Sequence, residues 1–254
     1  YWVKNQMIDI TINLLIIFFM IGVFAGFFDS ISGGGGLLTI PAMLIAGVPP
    51  LEALGTNKLQ GIFGTASATI TFASKGHLDF KSLWPIVLLC FILSIVGALI
   101  TSHIPEQRLT VFIPYILILV ALYFGLSKKI SENGKTPILT FSILGTIILP
   151  IVGFYDGIFG PGAGSFYMFA LLSLGGLGIV QATAQTKLLN FSSNLGGFIF
   201  FCIIGAINWK IGVTMAVGQI IGSSIGARLA IKKGIKIIKP LLIIICIITA
   251  VRLL

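Results

Sequence analysis

Apolar residues run along this chain in long blocks separated by short polar or glycine-rich stretches. The blocks fall at roughly 8–28, 37–48, 59–74, 83–102, 109–126, 137–155, 164–178, 188–205, 211–227 and 240–254. Most approach the ~20 residues that a helix needs to cross ~30 Å of hydrocarbon, so the pattern predicts an all-α polytopic membrane protein. The second and seventh blocks are too short. The stretch from Leu37 to Val48 would reach only about 18 Å as a helix. Each short block follows a run rich in glycine and reads as half of a broken helix or as a re-entrant loop.

Composition agrees with this pattern and excludes the alternatives. Only 9% of the 254 residues are charged and 57% are hydrophobic, with a mean hydropathy of +1.11. Soluble domains carry roughly 25% charged residues, and a soluble surface of this size would need far more polar groups. The 31 glycines and 10 prolines have no three-residue period, which excludes collagen. The net charge of +9 sits mostly in short connections between apolar blocks. It therefore reads as a topology signal, and no nucleic-acid partner is expected. Cys90, Cys202 and Cys246 lie inside apolar blocks at no ligand spacing, so neither a disulfide, a metal nor a cofactor is expected. The first block is too long for a signal peptide and is taken as a permanent span.

The chain repeats itself. Gly26-Phe27-Phe28-Asp29-Ser30-Ile31-Ser32-Gly33 aligns with Gly153-Phe154-Tyr155-Asp156-Gly157-Ile158-Phe159-Gly160, and Thr56-Asn57-Lys58-Leu59 with Gln185-Thr186-Lys187-Leu188. Gly76 to Lys81 then aligns with Gly205 to Lys210, and Gly97-Ala98 with Gly226-Ala227. An ordered series at one offset points to duplication: a first repeat over 1–126, a charged linker over 127–136 and a second repeat over 137–254. Repeats of this kind mark transporter folds. If all ten blocks cross, five per half invert the second repeat. Eleven of the 16 Lys and Arg then fall on one side: Lys75, Lys81, Lys128, Lys129, Lys135, Lys187, Arg228, Lys232, Lys233, Lys236 and Lys239. If the two short blocks fold back, the repeats run parallel and the count is eight and eight. The positive-inside rule favours inverted repeats with both termini outside.

The glycine runs are the first candidate site. Irregular backbone at membrane depth survives only against protein or a wet cavity, and glycine lets a ligand approach the amides. Gly33, Gly34, Gly35 and Gly36 in the first half, and Gly160, Gly162 and Gly164 in the second, precede the short blocks. The free amides of a half-helix start favour an anion. The competing reading is that these glycines only permit close helix packing.

Lys58 and Lys187 occupy matched positions beside Asn57 and Asn190. They read as anion-attracting groups or, since each stands at the end of an apolar block, as lysines that snorkel to the headgroups. Asp29 and Asp156 read as caps of the broken segments, as proton carriers, as gating groups, or as partners of Lys187 and Lys58 across the repeats. Asn190, Ser193 and Asn194 share one helical face and line a pathway or bond between helices. His77 and His103 fall in loops, and Glu52 has Gln181 at the matching place.

Gly26 to Pro41, Gly55 to Leu59, Gly153 to Phe166 and Lys187 to Asn194 resemble the sulfite exporter TauE/SafE family of bacterial and archaeal membrane proteins, over essentially the whole chain. The resemblance implies a secondary transporter of small sulfur-containing oxyanions, such as sulfite or organosulfonates, in the cytoplasmic membrane. It implies no enzyme activity, no cofactor, and a small anion and the lipid bilayer as partners. A passive anion channel and a scaffold without a substrate are the alternatives. Neither the particular anion, the coupling ion nor the oligomeric state follows from the sequence.

Overall fold

A computed structural model describes residues 11–109, 111–113, 115 and 136–233. The predicted block 109–126 lies mostly outside the described residues. The block 240–254, Lys128, Lys129, Lys135, Lys236, Lys239 and Cys246 lie outside them entirely, as does the linker apart from residue 136.

The first half folds as α1 (Ile12–Ser32), α2 (Gly36–Ile45), α3 (Pro50–Ala73) and α4 (Phe80–Ser102). The second folds as α5 (Phe141–Ile158), α6 (Ala163–Leu174), α7 (Ile179–Ile203) and α8 (Trp209–Lys233). Every regular element among the described residues is helical. Both halves follow one order: a long helix, a short one, then two long ones.

Local chemistry sets the ends. The Thr11 hydroxyl accepts the Leu14 amide at 3.3 Å to start α1. The Asp79 carboxylate accepts the Lys81 amide at 3.1 Å to start α4, and the Asn208 side chain accepts the Ile211 amide at 3.1 Å to start α8. These are side-chain caps for otherwise orphaned donors. Gly33, with φ +82°, ends α1 in a left-handed conformation that costs any other residue.

Among the described residues, four helices are long and apolar enough to cross a membrane: α1, α4, α5 and α8. They present exposed Ile, Leu, Val, Phe and Trp outward, Ile16, Phe24, Trp84, Ile147 and Val217 among them. At α3 and α7 the sequence reading must be corrected. Apolarity places their starts at 59 and 188, whereas the helices begin at Pro50 and Ile179. The physical reason is position. These two helices stand against each other at the centre of the bundle, where most of their surface meets protein instead of lipid, so their first turns need not be apolar. Lys58 and Lys187 are therefore mid-helix groups, both fully buried, and do not snorkel.

Packing runs between the halves. α1 lies on α8, with Gly22 against Met215, Gly26 against Gln219 and Gly226 against Phe27. Residue numbers rise together, so these helices are parallel. α3 and α8 are also parallel, Thr56 meeting Asn208 and Ser67 meeting Ser224. On the other side α4 runs parallel to α5, with Cys90 at Gly153 and Thr101 at Ile158, and parallel to α7, with Val87 at Ser192 and Phe91 at Gly196. Across the middle the sense reverses: Gly55 meets Phe201, Lys58 meets Gly197 and Gly61 meets Asn194. Thus α1, α3 and α8 point one way and α4, α5 and α7 the other. Because α1 and α3 share a direction, α2 carries the chain back between them. Its ten residues rise only about 15 Å, half a bilayer core.

Candidate functional site

The two glycine interruptions meet. The Gly33 carbonyl accepts the Ser165 amide at 3.2 Å, so the end of α1 touches the start of α6. Beside this junction lies a small, partly open cavity lined mainly by polar groups. Gly33, Gly35 and Gly36 border it from one break and Gly160, Gly162 and Gly164 from the other. Asn57, Gln60 and Thr65 come from α3, Asn190 and Asn194 from α7 and Gln219 from α8, with Asp29 and Asp156 at its edges.

Lys58 and Lys187 do not border the cavity. The Lys58 ammonium donates to Asp156 Oδ1 at 2.6 Å and to the Asp156 backbone carbonyl. The Lys187 ammonium donates to Asp29 Oδ2 at 3.3 Å and to the Asp29 carbonyl. Each lysine thus reaches across from one half to the last turn of the opposite half's first helix. It answers two negative features there, a carboxylate and the negative end of the helix dipole. Gly160 makes room for this: its φ is +91°, and a Cβ on it would stand 2.9 Å from Lys58 Nζ. The two ammonium and two carboxylate groups cancel.

The two pairs are not equivalent. Asp156 is clamped by Lys58 and by the Ser193 hydroxyl, which donates to Oδ2 at 2.5 Å. Asp29 has no such hydroxyl, since Gly64 stands where Ser193 stands in the second half; its Oδ1 instead accepts the Gly35 amide at 3.1 Å, capping α2.

Donors face the cavity. Asn57 Oδ1 accepts the Thr39 hydroxyl and the Gln60 side-chain amide, each at 2.7 Å, which turns Asn57 Nδ2 toward Gly36 and Gly160. Gln60 accepts in turn from Gln219. Asn190 Oδ1 accepts Asn194 Nδ2 at 3.1 Å, leaving Asn190 Nδ2 beside Gly164. The amides of Gly36, Gly162 and Gly164 have no hydrogen-bond partner among the described residues.

Of the residues singled out in the sequence, the glycines other than Gly34 gather at the cavity with Asn57, Asn190 and Asn194, whereas Lys58, Lys187 and Ser193 sit one layer behind it. Thr39, Gln60, Thr65 and Gln219 were missed. A glutamine inside the apolar block 211–227 was the available signal, because a polar side chain at membrane depth needs a partner or a role. Glu52 and His103 lie elsewhere: Glu52 accepts Asn208 Nδ2 at 2.8 Å, and His103 contacts the Leu99 carbonyl.

The model of a family described as sulfite exporter TauE/SafE matches residues 18–253. A probable membrane transporter protein, ORF9, from Sinorhizobium sp is 48% identical over 246 residues, covering 97% of this chain and 94% of its own length. The probable membrane transporter protein YfcA of Escherichia coli K12 is 40% identical over 250 residues, covering 98% and 93%. One from Haemophilus influenzae is 39% identical over 236 residues, covering 93% and 92%.

Proposed function

Since the chain belongs to the sulfite exporter TauE/SafE family, and its relatives are named membrane transporters, we propose that it moves small sulfur oxyanions such as sulfite or organosulfonates by alternating access. The observation that carries this reading is the meeting of the two interruptions at a polar cavity whose lining sets N–H donors from both breaks beside the carboxylates of Asp29 and Asp156. An oxyanion offers acceptors alone, and backbone amides at half-helix starts together with Asn57 and Asn190 offer the matching donors. Lys58 and Lys187 neutralise Asp156 and Asp29 and hold the two breaks in register, so the carboxylates in the lining are balanced from behind it until an anion enters.

The membrane layout belongs to the same proposal: two inverted five-segment repeats in a cytoplasmic membrane, α2 and α6 being the short segments. The opposed directions of α1 and α5, of α3 and α7, and of α4 and α8 support it. Charge supports the orientation. Lys75, Lys81, Arg228 and Lys232 cluster where α3 and α8 end and α4 begins, while Arg108 and Lys210 lie at the other end. The richer end faces the cytoplasm.

The test is flux of radiolabelled sulfite into proteoliposomes. Saturable uptake with counterflow is expected, whereas uptake that rises linearly with concentration would identify a channel. Absence of flux for sulfite and for methanesulfonate would overturn the reading.

A further inference from the structure

A monoanion entering this cavity meets a charge problem that the four buried ionic groups define. Lys58 with Asp156 and Lys187 with Asp29 already sum to zero, all largely buried within the bundle. An anion added to them carries a net negative charge into a medium of low dielectric, which is costly. One proton on one carboxylate removes that cost. It converts a carboxylate to a neutral carboxyl and leaves the partner lysine's ammonium to balance the anion.

The two carboxylates differ in how firmly they are held. Asp156 has an ammonium at 2.6 Å on one oxygen and the Ser193 hydroxyl at 2.5 Å on the other, and its side chain is 2% exposed. Asp29 has its ammonium at 3.3 Å and a backbone amide at 3.1 Å, and its side chain is 11% exposed, while both carboxylates border the cavity. The charged groups around Asp29 are Lys187 from α7, Asp156 from α5 and, behind Asp156, Lys58 from α3. α2 contributes the Gly35 amide, and α8 contributes Gln219 to the same cavity.

We infer that transport is coupled to protons, one per monoanion, and that Asp29 carries the proton while Lys187, freed from the carboxylate, faces the anion. This rests on the transporter reading above. In the step itself, a proton from water on the side to which the cavity opens adds to the Asp29 carboxylate. The Lys187 ammonium keeps its three protons, and no other bond forms or breaks. Anion and proton then cross with zero net charge, and both leave on the far side.

The experiment uses the full chain in liposomes with methanesulfonate, whose charge stays −1 over the working pH range, and with sulfite to establish activity. In the wild type, an inward proton gradient of one pH unit should concentrate methanesulfonate about tenfold. Proton uptake should match anion uptake, and a potential clamped with potassium and valinomycin should have no effect. In Asp29→Asn, which keeps the shape of the protonated side chain, whatever anion uptake remains should take up no protons, lose the tenfold accumulation and follow the potential. Wild-type uptake that follows potential and takes up no protons would overturn proton coupling. Asp29→Asn that still accumulates anion tenfold would overturn the assignment to Asp29. If Asp29→Asn does not fold, the wild-type proton-to-anion ratio alone decides the coupling. Absence of flux for both anions would instead sink the transporter reading.

Discussion

Replacing Lys58 by methionine isolates the role of the buried lysines. The side chain keeps most of its apolar length along Gly197 on α7 and loses only its ammonium. Asp156 Oδ1 and the Asp156 carbonyl then lose their donor in a place that is 1–2% exposed, so water cannot replace it. Breaking a buried pair from one side costs about 3–5 kcal/mol, because a charge is left uncompensated. The Ser193 hydroxyl still donates to Oδ2, which places the expected loss near the lower figure. Removing both charges in Lys58→Met/Asp156→Leu should recover much of it, giving a coupling of about 2 kcal/mol or more. Denaturant unfolding in mixed micelles, followed by circular dichroism, measures all three variants on one scale. A single-variant loss under about 1 kcal/mol, or a double variant equal to the sum of its parts, would refute the neutralising role. In that case sulfite affinity, and not stability, would carry the defect, as expected for a lysine that binds the anion directly.

Other outcomes follow from the same geometry. Gly164→Ala would press a methyl within 2.7 Å of the Gly33 Cα and 2.9 Å of Asn190 Nδ2, so sulfite flux should fall at least about tenfold through displaced donors, read in proteoliposomes. Asn57→Asp should abolish sulfite uptake while the chain still folds, because a donor facing the breaks becomes an acceptor with a negative charge; unchanged uptake would remove Asn57 from the site. In a chain stripped of its native cysteines, Lys75→Cys and Lys210→Cys should label with impermeant maleimide from opposite faces, and labelling from one face would refute the proposed orientation.

How much of this was readable in advance depends on what each residue touches. The helices α1, α4, α5 and α8 face lipid, so apolarity marked them, and the glycine runs marked the interruptions. The central helices α3 and α7 face protein, and hydropathy therefore began them nine residues late, which moved Lys58 and Lys187 from mid-helix to segment ends. Matching motifs paired the two halves, but side-chain direction was not legible. The matched motifs do offer the pairs of Lys58 with Asp156 and Lys187 with Asp29, 98 and 158 residues apart, but nothing in them says that the lysines stand behind the cavity instead of lining it. Nor does spacing distinguish Asn190, which borders the cavity, from Ser193, which clamps Asp156.

The way the halves interlock decides which parts can travel together. α1 is fused along its glycine face to α8, and α8 to α3; α5 is fused to α4, and α4 to α7. On the alternating-access proposal, the packed trios are mixed, each taking helices from both halves of the chain, and α3 against α7 is where they meet. A disulfide bridging α1 to α8 should leave transport intact, whereas one bridging α3 to α7 should arrest it. Neither half of the chain, cut out alone, would therefore hold one of these trios.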